Sequence, residues 1–518
     1  MSIPGSTIGS IPGKTLETCD IRIDDFTIDP FILVIFGGAG DLSQRKLLPM
    51  LFHIFGEGDL PHDFSIVGFG LPEMDAERYQ DLVREAIRKN GEEPFEEKRW
   101  ESFRPHLHYL SGDFDTDANY EKLAGELALL SAKQPGNKRR VIYYLAVPPI
   151  FFSPIIDHLS HHRLCKDRFD TRIIIEKPFG RDRESADQLN HAIQQAFDER
   201  QIYRIDHYLG KETVQNIIFF RFANSIFEPL WNRRYIDNVQ ITVAEDIGIE
   251  HRGDFYEQAG IVRDIIQNHM LQLVALVAME PPVGFEADYI RDEKVKIFRS
   301  ISPMDREYID TFSVPGQYGP GRINGNAIPG YRDEDNVAQD SNMPTFIAAK
   351  LHIDNWRWAG VPFYIRAGKR LPKRITQICV QFKQPPLRLF SHTCDILKPN
   401  FLLLTVQPRE EITLHFGVKY PLSRNTIFPV NMEFDYQKVF KTKRHSPYER
   451  LLIDCMRGDL TLFVRQDGIA AQWNVVDPLI ARWEENPAGD FPNYAAGAWG
   501  PGDSDRLLLK DGRNWITK

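Results

Sequence analysis

Six consecutive apolar residues, Phe31-Ile32-Leu33-Val34-Ile35-Phe36, run into Gly37-Gly38-Ala39-Gly40. An unbroken run of this kind fits a parallel strand buried on both faces, where neither face calls for polar side chains. Asp41-Leu42-Ser43 then opens a segment, Arg45 to Phe55, whose Leu47, Leu48, Leu51, Phe52 and Phe55 recur at helical spacing. Strand, glycine turn and helix together present backbone N–H groups and a helix N-terminus to a pyrophosphate. The spacing departs from GxGxxG, so a tight strand-to-helix turn is the competing reading.

The downstream segments support the nucleotide reading. Ser65 to Phe69 is a second short apolar strand, and Val141 to Val147 and Thr171 to Ile175 are two more, preceded by helices at Asp117 to Ser131 and Pro154 to His162. Strands alternating with helices predict an α/β, Rossmann-like doubly wound parallel sheet, whose ligands sit at the carboxyl ends of the strands. Pro148-Pro149 and Glu176-Lys177-Pro178-Phe179-Gly180 both fall at such ends. A cis peptide at either proline could face a ring-shaped ligand, and simple loop rigidity is the alternative. Lys177 is a flexible cation beside a proline, placed to reach both a nucleotide and its reaction partner.

Arg204-Ile205-Asp206-His207-Tyr208-Leu209-Gly210-Lys211 holds more polar chemistry than a core normally accepts. If the residues from Asp206 onward are helical, His207 and Lys211 point the same way and make a clamp for a phosphate or another anion. A solvated, charged helix start is the bland alternative.

The second half changes character. Val430, Met432, Phe434 and Tyr436 interleave with Asn431, Glu433 and Asp435, and Phe346 to Ile353, Tyr364 to Arg366, Ile378 to Phe382 and Leu402 to Gln407 are further strand candidates. They predict an α+β domain whose large antiparallel sheet is covered by helices on one face. Residues 316–344 read as a long loop. Val239, Ile241 and Val243 alternate with Gln240, Thr242 and Ala244, which puts Glu245 on an apolar face, where a carboxylate needs a partner. Ile261 to Met279 reads as an apolar helix with His269 inside its stripe, either a satisfied core residue or an imidazole on a cleft floor, partly desolvated and titrating near neutral pH. The expected organisation is a flexible arm over 1–25, a dinucleotide-binding domain over 26–205, and an α+β substrate-binding domain over 206–518.

With 518 residues, 42% hydrophobic and 26% charged, the chain has the balance of a soluble globular protein. A net charge of −9 with scattered basic residues gives no nucleic-acid surface. Cys19, Cys165, Cys379, Cys394 and Cys455 show no CxxC spacing, which points to a reducing, cytoplasmic setting and away from a structural metal. The apolar stretch Val141 to Ile156 is broken by Pro148-Pro149 and is too short to span a membrane.

The motifs Gly37 to Leu42, Glu176 to Gly180 and Arg204 to Lys211, continued by Phe222-Ala223-Asn224, Gln267-Asn268-His269, Arg291 to Val295, Ala367-Gly368-Lys369 and Tyr448 to Leu451, resemble the glucose-6-phosphate dehydrogenase family. The resemblance covers residue 30 to about 480. It implies oxidation of D-glucose 6-phosphate at C1 to the 6-phosphogluconolactone with hydride passed to NADP, the entry step of the oxidative pentose phosphate pathway. It makes His269 the base and Asp206 the carboxylate that orients it. It assigns the phosphate to His207, Tyr208 and Lys211, the sugar to Glu245, Asp264, Lys369 and Arg374, and both substrate and cofactor to Lys177. The cofactor falls to Gly37, Gly38, Ala39, Gly40, Asp41, Leu42 and Pro148. A homodimer or homotetramer through the antiparallel sheet is implied as well.

One region departs from the family. Leu71-Pro72-Glu73 stands where NADP-preferring members usually carry an arginine, and Glu73 would repel a 2′-phosphate. NAD is therefore expected to be accepted, unless Arg45, Lys46 or Arg78 compensates. Ile375 stands where a second, structural dinucleotide site would need a basic residue, so that site is not expected. The competing functions are a hexose dehydrogenase that also takes free glucose and a non-catalytic sensor of nucleotide or sugar phosphate.

Overall fold

The computed structural model describes residues 28–132, 140–165, 170–385, 398–423, 426–440 and 446–517. The expected N-terminal arm, residues 1–25, lies outside them. Six parallel strands, β1 (Phe31–Phe36), β2 (Phe64–Gly70), β3 (Leu107–Ser111), β4 (Arg140–Leu145), β5 (Asp170–Ile175) and β6 (Ile202–Arg204), lie side by side in the order β3-β2-β1-β4-β5-β6. The order reverses between β1 and β4, which leaves a crevice at their carboxyl ends. Every residue of β1 is buried, as its unbroken apolar run requires. Two strands carry little sequence signal: β3 lies at an edge and mixes His108 and Tyr109 with leucines, and β6 has only three residues.

The second sheet has eight strands, in the spatial order Ile427–Asp435, Glu411–Lys419, Phe401–Gln407, Ile375–Phe382, Ile236–Ala244, Phe363–Gly368, Phe346–Leu351 and Ser313–Gly316. It is antiparallel except for one pair, Ile236–Ala244 with Phe363–Gly368, which runs parallel with Ala244 opposite Gly368. The long loop expected over 316–344 contains a small hairpin, Gly321–Ile323 with Asn326–Ile328.

A helical stack from Gly253 to Ala278 packs across that parallel pair, and Gln466–Glu485 packs on the stack. The helical layer covers this face, as expected, and the opposite face is covered in part by the C-terminal tail. Ile516 donates its N–H to Gln240 Oε1 at 2.8 Å, Gln377 Nε2 reaches Ile516 O at 2.9 Å, and the Arg366 guanidinium lies 4.3 Å from the Trp515 ring and 4.6 Å from Trp499. The C-terminal tail thus covers the polar residues that alternate along the central strands. Residues 447–463 return to the first sheet, where Leu451, Leu452, Met456 and Phe463 join the apolar cluster of Phe31, Leu33 and Ile35. Among the described residues no helix is long and apolar enough to cross a membrane.

Candidate active site

Strand ends from both sheets meet at one place. The end of β5 delivers Lys177, and the turn after β6 delivers Asp206 to Lys211. The parallel pair of the second sheet ends in register: Glu245 N–H donates to Gly368 O at 3.0 Å, so Glu245 and Lys369 leave adjacent strands together. Asp264 and His269 come from Val262–Met270, which is π-helical rather than α-helical and is followed by the α-helix Leu271–Ala278. The Leu271 N–H still reaches back to Ile266 O, an i to i−5 bond. Such widened turns recur at functional sites because they turn side chains that an α-helix would spread apart.

These side chains form a chain of alternating charge. Glu245 Oε2 lies 2.6 Å from Lys369 Nζ, which lies 3.5 Å from Asp264 Oδ2. Asp264 Oδ1 is 3.3 Å from Lys177 Nζ, Lys177 Nζ is 3.0 Å from His269 Nε2, and His269 Nδ1 is 2.5 Å from Asp206 Oδ1. An ammonium can only donate and a carboxylate can only accept, so the partners fix the tautomer: Nδ1 carries the proton and Nε2 offers its lone pair. His269 is 1% exposed, more buried than the partly desolvated imidazole expected from the sequence. Burial, seconded by Lys177, holds its pKa well below the ordinary value, so it is neutral rather than poised near neutrality. Burial also pushes the Asp206 carboxyl up, against the pull of His207 and Lys177. Burial pushes Asp264 the same way, but Lys177 and Lys369 outweigh it and hold that carboxyl well below the usual range.

Residues 206–211 are not helical. Leu209 N–H bonds to Asp206 O at 3.0 Å and Lys211 N–H to Tyr208 O at 3.1 Å, giving two successive turns before the helix Glu212–Phe222. Asp206 Oδ1 accepts from Tyr208 N–H at 3.0 Å, so it closes the first turn and caps no helix. Arg204 is a core residue, 1% exposed and paired with Glu199 at 2.6 Å. His207 and Lys211 nevertheless converge, lining with Arg374 a cavity of about 1010 Å³ between the two sheets. Burial and the neighbouring His269 hold His207 neutral, and burial with Arg374 lowers Lys211 to about 8. Tyr208 stands behind this wall. Its ring stacks on His269 with centroids 4.2 Å apart, Lys211 Nζ lies 3.9 Å above it, and its hydroxyl meets Thr376 Oγ1 at 3.2 Å.

The glycine turn occupies the carboxyl edge of β1. Gly37 has φ +81°, which glycine adopts freely, and a Cβ on Gly38 would stand 2.4 Å from Gly68 Cα. The N–H groups of Gly37 and Gly38 go to Phe69 O and that of Gly40 goes to Gly37 O. Those of Ala39 and Asp41 are not used by the turn and remain for an anion at the helix mouth, so the turn fits a dinucleotide pyrophosphate. Leu42 is half-buried beside it, and Asp41 pairs with Arg45 at 3.4 Å. Pro148 lies exposed after β4 with trans geometry, whereas the Lys177-Pro178 bond is cis. Leu71 and Glu73 are exposed just after β2, and Arg45 and Lys46 line the large cavity together with His207 and Lys211.

Several participants are not evident from sequence. Gln407 Oε1 accepts from Lys211 Nζ at 2.6 Å, and Glu176 accepts from the Tyr144 hydroxyl at 2.6 Å and from Tyr448. Burial pushes Glu176 up to about 7. Glu176 and Tyr448 stand in the motifs Glu176 to Gly180 and Tyr448 to Leu451 without a role read for them, whereas Gln407 is far from Lys211 in sequence and carries no local signal.

A glycine turn that fits a dinucleotide, an imidazole backed by a carboxylate and an adjoining basic cavity fit the class of nicotinamide-dependent dehydrogenases. Comparison with known proteins agrees. Family models match over residues 34–216 (glucose-6-phosphate dehydrogenase, NAD binding domain) and 218–516 (glucose-6-phosphate dehydrogenase, C-terminal domain). The chain is 45% identical over 498 residues to the glucose-6-phosphate 1-dehydrogenase of Chlamydia pneumoniae, covering 94% of this chain and 96% of that one. It is 42% identical over 486 residues to that of Bacillus subtilis, with 93% and 98% covered. A solved glucose-6-phosphate dehydrogenase in complex with its substrate superposes with TM-score 0.87 at 32% identity, covering 95% and 99%. The Mycobacterium avium enzyme gives 0.81 at 35% identity, covering 94% and 99%. The chain belongs to the glucose-6-phosphate dehydrogenase family and is an oxidoreductase.

Proposed function

We propose that the protein oxidises D-glucose 6-phosphate at C1 to 6-phospho-D-glucono-1,5-lactone, releasing one proton and passing one hydride to a nicotinamide. The observation that carries the mechanism is His269 held between Asp206 at Nδ1 and Lys177 at Nε2, which puts its proton on the Asp206 side and its lone pair toward Lys177. His269 Nε2 takes the C1 hydroxyl proton as C1 gives up its hydride, and Asp206 stabilises the resulting imidazolium. Before that, Lys177 must yield the Nε2 lone pair to the hydroxyl, and it then donates to the substrate oxygen. Glu245, Asp264 and Lys369 hold the sugar hydroxyls. Lys211 and Arg374, with a neutral His207 as a further donor, hold the phosphate, and Tyr208 supports Lys211 from behind. The turn Gly37 to Leu42 would hold the pyrophosphate of a dinucleotide, whose nicotinamide would supply the hydride acceptor.

Exposed Leu71 and Glu73 at the β2 terminus support acceptance of NAD beside NADP. Exposed Phe428 and Met432 on the outermost strand support self-association through the second sheet, as a homodimer or homotetramer. The free thiols of Cys165, Cys379 and Cys455 support a reducing, cytoplasmic setting, and the reaction itself would stand at the entry of the oxidative pentose phosphate pathway. The test is nicotinamide reduction with glucose 6-phosphate against free glucose, in NADP and in NAD. Reduction that needs the phosphate supports the reading, and equal rates with free glucose would remove the role of the basic cavity.

A further inference from the structure

Away from the candidate active site, two imidazoles and a carboxylate converge where two neighbouring helices meet. Asp117 opens the helix Asp117–Ala132, His158 lies in the last turn of the helix Phe152–His161, and His162 follows that helix directly. The His162 N–H bonds to His158 O at 3.0 Å, so i,i+4 spacing carries through and both rings leave on one side. Asp117 Oδ1 lies 2.7 Å from His162 Nε2 and 3.4 Å from His158 Nδ1, and the three atoms fall within 4.8 Å of one another. Tyr120, one turn into the helix that Asp117 opens, is fully buried and backs both rings. Its ring stacks on His158 with centroids 4.6 Å apart, and lies 6.1 Å from His162 at an interplanar angle of 14°. None of the three lines the large cavity.

We propose that Asp117, His158 and His162 form a site for a divalent transition-metal ion, zinc, which ties the two helices together. Two imidazole nitrogens and one carboxylate oxygen suit zinc, whereas calcium and magnesium take oxygen ligands. Around a tetrahedral zinc with bonds of about 2.0–2.1 Å, ligand atoms stand about 3.3 Å apart. His158 Nδ1 already has that separation from Asp117 Oδ1, and His162 Nε2 needs to withdraw by about 0.6 Å. On binding, each facing nitrogen gives its lone pair to the metal, and the proton it carried moves to the other ring nitrogen or to solvent. The Asp117 side chain is 55% exposed, which leaves room for water at the fourth position. The cysteine spacing that speaks against a structural metal has no bearing on an imidazole site.

The rival reading is an ordinary ion pair between helix ends, and zinc binding separates the two. Full-length protein stripped of metal is titrated with zinc by calorimetry, and X-ray absorption reads the atoms around the bound ion. One zinc should bind here with a Kd on the order of micromolar or tighter, with nitrogen and oxygen neighbours and no sulfur, and should raise Tm. His158→Gln and His162→Gln should each weaken that binding by roughly 10- to 100-fold or more. Asp117→Asn should weaken it as well, and serves if a histidine variant does not fold. Failure of the wild-type protein to take up zinc, or uptake with unchanged affinity and stoichiometry in the folded variants, overturns the proposal and leaves the cluster an ion pair.

Discussion

Lys177 Nζ lies 3.0 Å from His269 Nε2, so an ammonium faces the lone pair that the proposed mechanism assigns to the substrate's proton. Burial and this contact hold the imidazole's pKa low, and on the proposed mechanism the lone pair passes to a group that also satisfies Lys177. A hydroxyl is such a group, since it donates to the imidazole and accepts from the ammonium.

Asp206→Asn should keep the fold and lose turnover. An amide cannot stabilise the imidazolium and can hold the ring in the wrong tautomer, so kcat should fall on the order of 10² to 10⁴-fold. Steady-state kinetics, with circular dichroism to confirm folding, checks this. A loss below tenfold would leave Asp206 a structural turn residue.

Phosphate binding should weaken in alkali. Lys211, lowered to about 8, is a cation below that pH and neutral above it. A phosphate dianion favours the charged form, so KM for glucose 6-phosphate should rise as pH passes above 8. Lys211→Gln should have a higher KM throughout and a flatter profile between pH 7 and 9, read from initial rates (expected range of about one decade).

Lys369→Met should damage both stability and sugar binding. It leaves Glu245 and Asp264 without the cation between them. Breaking a buried pair costs about 3–5 kcal/mol, and the partial exposure of Glu245 places this site at the lower end. Thermal denaturation should show a lowered Tm, and glucose 6-phosphate KM should rise. An unchanged Tm would mean that the two carboxylates are already satisfied elsewhere.

Leu71→Arg should raise kcat/KM for NADP relative to NAD by tenfold or so, about 1.4 kcal/mol of transition-state binding. If the wild-type protein already prefers NADP by ~100-fold or more, ~2.7 kcal/mol, then the expectation drawn from Leu71 and Glu73 fails.

Much of the candidate site was legible because its side chains fall at the ends of apolar runs. Lys177 lies two residues past β5, Glu245 follows a strand whose alternation could be read, and the His269 stripe was visible. The missing parts depend on contacts between distant segments. No local pattern says that Ile236–Ala244 and Phe363–Gly368 pair in parallel, although this pairing is what sets Glu245 beside Lys369. Helical spacing could not reveal the π-helical turns that place Asp264 and His269. The stretch after Asp206 looks helical by spacing, but the Asp206 carboxylate takes the Tyr208 N–H and closes a turn instead. Likewise, Gln240 and Arg366 look solvated by alternation, yet the tail, with Trp499 and Trp515, covers them.

The most direct measurement compares wild-type and His269→Asn proteins for nicotinamide reduction with glucose 6-phosphate, alongside substrate affinity by calorimetry. If His269 is the base, turnover should fall on the order of 10²-fold or more while glucose 6-phosphate still binds with similar affinity. A His269→Asn protein that turns over like wild type would contradict the mechanism, and one that no longer binds substrate would make His269 a binding residue instead.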